Sequence, residues 1–149
     1  MNMTTFDFGY GQVPAHKHPN GGGWVADTAT VADTAYVASD AKVFGSAQVC
    51  GDAEVSGDAQ VSGNAWVYGN AQVSDNARVS DNARVSDNAR VSDNAQVYGN
   101  ARVSDNAEVY GYARVYGDAQ VSNDAEEDMF IEMNGKRYKL VEVVWGEDE

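Results

Sequence analysis

Cysteine is nearly absent. Cys50 is the only one in 149 residues, so no internal disulfide can staple this chain. That usage fits a reducing compartment. Histidine is limited to His16 and His18, and positive charge is scarce: 10 Lys and Arg stand against 23 Asp and Glu, a net charge of −13. Such a balance disfavours direct nucleic-acid binding. No stretch approaches the roughly 18 consecutive apolar residues of a membrane-spanning helix. The N-terminus has no basic-then-apolar pattern, so a soluble chain not exported by that route is expected. One domain is expected from the length.

What is present is a repeat. Between residues 25 and 126 a six-residue phrase recurs 17 times (102 residues divided by six) without insertion or deletion. Valine returns every six residues from Val25 to Val121, with alanine four residues behind it from Ala29 to Ala125. The purest copies read Val79-Ser-Asp-Asn-Ala-Arg84 and Val85-Ser-Asp-Asn-Ala-Arg90. A strict period of this kind defines the architecture before any local propensity does.

Along an extended strand, Ala and Val point one way and the residues flanking Val point the other. The inward set is therefore small and apolar; the outward set is Ser, Tyr, Arg, Gln and Glu. Two turn positions close each hexad. The first is mostly Gly or Asp (Gly63, Gly69, Asp81). The second is mostly Asn or Asp (Asn64, Asn82, Asp118), residues that tolerate left-handed backbone angles. Apolar spacings of two and four residues, with a breaker in every hexad, exclude a helix. One hexad alone can bury nothing, so the copies must coil and stack.

The phrase (aliphatic, variable, two turn residues, small, variable) resembles the hexapeptide-repeat, left-handed parallel β-helix family. The resemblance implies an all-β, single-stranded triangular solenoid with three hexads per coil and about 5.7 coils, in a rod ~27 Å long at the usual strand spacing. Handedness comes from the resemblance alone. The wording of residues 11–29, GQVPAHKHPNGGGWVADTA, also resembles the leader of hexapeptide-repeat proteins from bacteria, phages and prophages. It implies a setting in the cytoplasm of a bacterial host or on a virion.

Residues 1–24 depart from the repeat and are expected to cap the first coil with Phe6, Phe8 and Tyr10, because an uncovered sheet edge invites polymerisation. Residues 127–149 are expected to form the other cap. There Met129–Met133 and Lys136–Val144 flank the Asn134-Gly135 hairpin turn, with Ile131 facing Tyr138, Met129 facing Leu140 and Glu132 facing Arg137. Trp145 and a solvated acidic tail, 146–149, follow.

With three hexads per coil, residues 18 apart stack. One face then shows Lys42, Gln60, Arg78, Gln96 and Arg114; a second Gln48, Trp66, Arg84, Arg102 and Gln120; a third Tyr36, Glu54, Gln72, Arg90 and Glu108. Most of this is solvated β-surface. Large aromatics beside arginine are different, because they are the usual anchors of protein interfaces. Trp66, Tyr68, Tyr98 and Tyr116, with Arg84 and Arg102, are the expected partner-binding residues. Tyr112 stands where Asn or Asp is usual, so backbone strain is expected there. Tyr110, Tyr112 and Tyr116 either pack beneath the C-terminal hairpin or join an interface.

Family resemblance also raises acyl transfer, which in those enzymes uses a histidine general base at a coil junction and a loop interrupting the hexads. The hexads here contain neither, and His16 and His18 lie outside them. A general base must reach the proton it removes, so no catalytic residue is expected. His16-Lys-His18 lacks a clear third ligand, and no metal or cofactor is expected. The expected function is a non-catalytic, acidic β-helix that binds a protein partner of the host, with a phage- or prophage-encoded inhibitor as its setting. The corner carboxylates Asp75, Asp87, Asp93 and Asp105 suggest nucleic-acid mimicry. Duplex DNA carries one charge per ~1.7 Å; the repeat's 12 Asp and 3 Glu give a similar spacing until its six Lys and Arg are subtracted, leaving −9. The competing expectation is a structural module of a virion or tail, or a spacer that trimerises through one face.

Overall fold

The computed structural model describes residues 4–122, 129–133 and 136–140, the last two segments as backbone strands. The expected turn at 134–135, residues 123–128 and the tail from 141 onward lie outside the described residues. All described regular structure is β; there is no helix among the described residues.

Each hexad from residue 24 to 122 contributes one short strand that contains its valine, and strands 18 residues apart pair in parallel. Trp66 lies beside Arg84 and Gln48, Arg78 beside Gln60 and Gln96, and Arg90 beside Gln72 and Glu108. Three sheets result, holding six, six and five such strands. The chain therefore makes five complete coils and part of a sixth. All three outward ladders expected from the 18-residue stacking are present. So are the inward files: Val61, Val79 and Val97 are in register. From Val37 to Ala107 every repeat valine and alanine is 0% exposed. Burying branched valine on a pleated surface is the favourable term that pulls the coils together.

Backbone hydrogen bonds run between coils along the strands and through the corners. Trp66 N donates to Ala83 O at 2.9 Å, and Asn64 N to Asp81 O at 2.7 Å. Each corner also closes on itself, as where Ala77 N donates to Ser74 O at 3.1 Å. The two central residues of that turn are unequal. Positive φ belongs to the first, with values near 60° at Asp75, Asp81, Asp87, Asp93 and Asp105 and 65° at Gly63. The expectation that the second position needs left-handed tolerance is thus corrected. From Gly45 to Gly117 the first position is always Gly or Asp with a positive φ, whereas the corners that begin at Asp27, Asp33 and Ser39 lack it. Tyr112 accordingly carries no backbone strain, because Gly111 before it takes the positive φ of 66°.

Aspartate at the first position has a further partner. Oδ2 of Asp75, Asp81, Asp87 and Asp93 accepts the backbone N–H of the corner one coil above: Asp93 at 3.2 Å, Gly99 at 3.1 Å, Asp105 at 3.2 Å and Gly111 at 3.0 Å. The side chain that tolerates the left-handed angle also braces successive coils.

Both ends are extended edge-on. Thr5–Asp7 and Gln12–Lys17 form an antiparallel hairpin, and its second strand pairs with Trp24–Ala26 at the start of the first sheet. Phe6 stacks on Trp24 (4.7 Å, 21°) and Phe8 on Phe44 (4.9 Å, 20°), so these aromatics cluster with residues of the first sheet. At the other end Met129–Met133 pairs antiparallel with Gln120–Ser122, extending the second sheet, and Lys136–Leu140 pairs with it in turn. The register there is the expected one: Ile131 opposite Tyr138, Met129 opposite Leu140, Glu132 opposite Arg137.

In the N-terminal hairpin, the Asp7 carboxylate accepts N–H groups from Gly9 (2.8 Å) and Gly11 (3.0 Å). These bonds favour the ionised form and hold its pKa below the ordinary carboxylate value. A folded pKa below the unfolded one gives a contribution present above the unfolded value and lost as pH falls through the folded one. Amide exchange at Gly9 and Gly11 should therefore accelerate below pH ~4 and in Asp7→Asn at neutral pH. Unchanged protection in Asp7→Asn would remove this role.

Candidate interaction surface

The second sheet collects most of the candidate binding residues, because strict 18-residue stacking brings Trp66, Arg84 and Arg102 onto successive rungs. Trp66 and Tyr68 flank inward Val67, so both emerge on the outer side. Their rings meet edge to face at 5.7 Å and 87°. The Arg84 guanidinium lies 5.1 Å from the Trp66 ring centroid, within cation–π range. The pairing fixes a long, mobile side chain in one orientation. Trp66 and Tyr68 are half-buried; Arg84 and Arg102 are exposed.

Above this cluster the sheet is indented. A groove of about 270 Å³ is lined by Tyr68, Arg84, Ser86, Arg102, Ser104 and Asp105, with Gln120 and Ser122 at its upper end. Ser86 is 7% exposed. No carboxylate among the described residues lies within salt-bridge distance of either arginine, Asp105 included; the one ion pair among them is His16–Asp27 at 2.8 Å.

Tyr98 and Tyr116 belong to the first sheet. Their rings stack at 5.3 Å and 10°, with Tyr116 47% exposed. The pair therefore stands on a different face from the Trp66–Arg84–Arg102 ladder, as stacking every 18 residues requires, and the division follows from chain order. Tyr98 ends a first-sheet strand, the corner at 99–100 turns, and Arg102 begins a second-sheet strand. The tyrosine pair and the Trp66–Arg84–Arg102 ladder flank one corner from opposite sides.

The four corner aspartates are also divided. Asp87 and Asp105 follow second-sheet strands and border the groove side. Asp75 and Asp93 sit at the corner leading from the third sheet to the first, in a separate, open groove of about 550 Å³ with Asp58, Asn76, Asn94 and Tyr112. The carboxylates of Asp75, Asp87 and Asp93 already accept a backbone amide, a structural task that residue-type reasoning alone did not reveal.

The two histidines have separate surroundings. His16 is exposed, with Nδ1 2.8 Å from the Asp27 carboxylate. His18 is 3% exposed, with Nε2 2.8 Å from the Ala35 carbonyl oxygen. Among the described residues no group of three His, Cys, Asp or Glu is placed to hold a metal ion. Cys50 is half-buried.

Residue reasoning found the arginine–aromatic ladder and missed the groove. Its signal was available, because Ser86 and Ser104 are small residues one rung apart between larger neighbours. The burial of Ser86, however, is not legible from its residue type.

Four overlapping windows, residues 59–73, 71–84, 83–97 and 95–111, match the family model described as the YdcK Beta solenoid repeat. The repeat is that of a β-solenoid. The matched part of the solenoid holds Trp66, Tyr68, Arg84, Tyr98 and Arg102, so the candidate surface stands on regular coils and not on an insertion. No curated protein and no solved structure matches the chain.

Proposed function

We propose that this solenoid is a non-catalytic interaction protein of the left-handed hexapeptide type, encoded by a phage or prophage and binding a host protein. The observation that carries the reading is the Trp66–Tyr68–Arg84 cluster. It is an aromatic pair with a guanidinium held over it, on coils hydrogen-bonded above and below. Rigid aromatics and arginine are the residues that dominate protein interfaces, because they contribute large contact area at small entropic cost. The Tyr98–Tyr116 pair across the 99–100 corner widens the surface. Inhibition of that host protein is the role proposed. Aspartate corners give the rod an acidic field that steers a basic partner, which is the form of nucleic-acid mimicry retained here.

A pull-down from bacterial lysate tests the reading. Trp66→Ala is expected to lower retention of the partner at least tenfold, a typical hot-spot loss. Arg90→Gln, on the third sheet, should leave retention unchanged. Equal retention by wild type and Trp66→Ala would end the proposal. A second reading has its own observation: aromatics on two faces suit a trimeric structural module in which they pack between copies. Light scattering behind size exclusion separates the two, because a monomer at high concentration removes the trimer.

A further inference from the structure

The solenoid is acidic overall, yet its second sheet carries two arginines on adjacent rungs beside the groove. Like charges directly opposite in a sheet destabilise it. Here Arg84 and Arg102 are direct neighbours, and among the described residues neither has a carboxylate within salt-bridge distance. Arg84 is held in place by the Trp66 ring. Ser86, Ser104 and Tyr68, each with a hydroxyl, line the same groove as the two arginines. The Ser86 hydroxyl makes no hydrogen bond among the described residues although the residue is 7% exposed. A buried donor without a partner is costly. Asp105 lines the rim, its backbone N–H tied to Asp87. At the upper end Glu132 holds the register position beside Gln120, and Arg137 the next one.

We infer that the groove is an oxyanion site: a carboxylate or phosphate group carried on the bound polypeptide sits between Arg84 and Arg102 and accepts the Ser86 hydroxyl. The site would relieve the arginine repulsion, satisfy the buried hydroxyl and give the bound partner a fixed register through charge-assisted hydrogen bonds. A planar guanidinium fork suits this task better than lysine would. The surrounding acid makes the site selective, since a polyanion is repelled by the corners while a single anionic group on an otherwise neutral or basic segment is admitted.

This inference rests on the second-sheet face being the interface, and the experiment separates the two. Wild type, Arg102→Gln, Ser86→Ala and Arg90→Gln are titrated by NMR with a glutamate-containing peptide, the same peptide carrying phosphoserine instead, and inorganic phosphate. Circular dichroism checks that each variant is folded. Saturable shifts at Ser86 and Arg102 are expected with at least one peptide. The association constant should fall about tenfold in Arg102→Gln and about threefold in Ser86→Ala, as for loss of one charge-assisted and one neutral hydrogen bond, and stay unchanged in Arg90→Gln. Stronger binding of one peptide names the oxyanion. Binding of inorganic phosphate alone would overturn the polypeptide source. No saturable shift, or equal binding by all folded variants, would overturn the site itself. Trp66-dependent partner capture that Arg102→Gln leaves intact would discard the oxyanion site and keep the interface.

Discussion

Val79→Asp is expected to unfold the central coils at 25 °C. Val79 is 0% exposed, stacked between Val61 and Val97 and flanked by Ala77 and Ala83, also 0% exposed. Aspartate is close to valine in size, so the substitution tests charge and not volume. Its repeat valine and alanine neighbours offer no hydrogen-bonding side chain, and an unpaired carboxylate buried there costs several kcal/mol. That is comparable with the whole stability of a domain, about 5–15 kcal/mol. Because coils contact only their neighbours, the damage should centre on the rungs around residue 79. Limited proteolysis should cut there, and the cooperative transition seen by circular dichroism should disappear or move below room temperature. Val79→Thr, nearly the same shape with one hydroxyl, should cost about 1–3 kcal/mol and keep the transition. An unfolding midpoint for Val79→Asp equal to wild type would refute the closed Val/Ala interior.

Gly63→Val should be the most damaging change at a corner. Gly63 has a φ of +65°, and a Cβ there would lie 2.7 Å from the backbone N of Asp81, one coil above. For a branched residue the left-handed angle is itself an outlier. Strain and close approach together should lower stability by roughly 3 kcal/mol or more. Gly63→Asp provides the contrast. Aspartate tolerates the angle, and at Asp75, Asp81, Asp87 and Asp93 it does so while accepting a backbone amide from the coil above. Its loss should stay within about 1 kcal/mol, the value of one such bond offsetting part of the crowding. Denaturant unfolding of the three proteins decides the matter, and similar losses for Val and Asp would show that backbone angle is not what selects these residues.

That pair of substitutions marks where reading the chain was insufficient. Position along the hexad told which side chains face in and which share a ladder, and Trp66, Arg84 and Arg102 fell on one ladder accordingly. It did not tell which turn residue takes the positive φ, because Asp occurs at both places and Asn, usual at the second, tolerates the angle as Gly and Asp do at the first. Tyr112 was misjudged for that reason. Spacing placed Tyr98 and Tyr116 on another face from the arginine ladder; it did not show that their rings stack on each other. The aspartates read as turn residues, and the Asp93 amide donating to Asp75 showed that they also link one coil to the next.

By itself the sequence determined which side chains face inward, and the family resemblance added three hexads per coil. Seventeen hexads without an insertion keep every valine on one side, since a slip of one residue would turn the whole inward set to solvent. Only the tertiary structure decided what the outside does. Left-handed corners, the shelter of Ser86 and the stacking of Arg84 on Trp66 arise between rungs 18 residues apart, where side-chain geometry sets the contact. Residue order along one hexad holds no record of that.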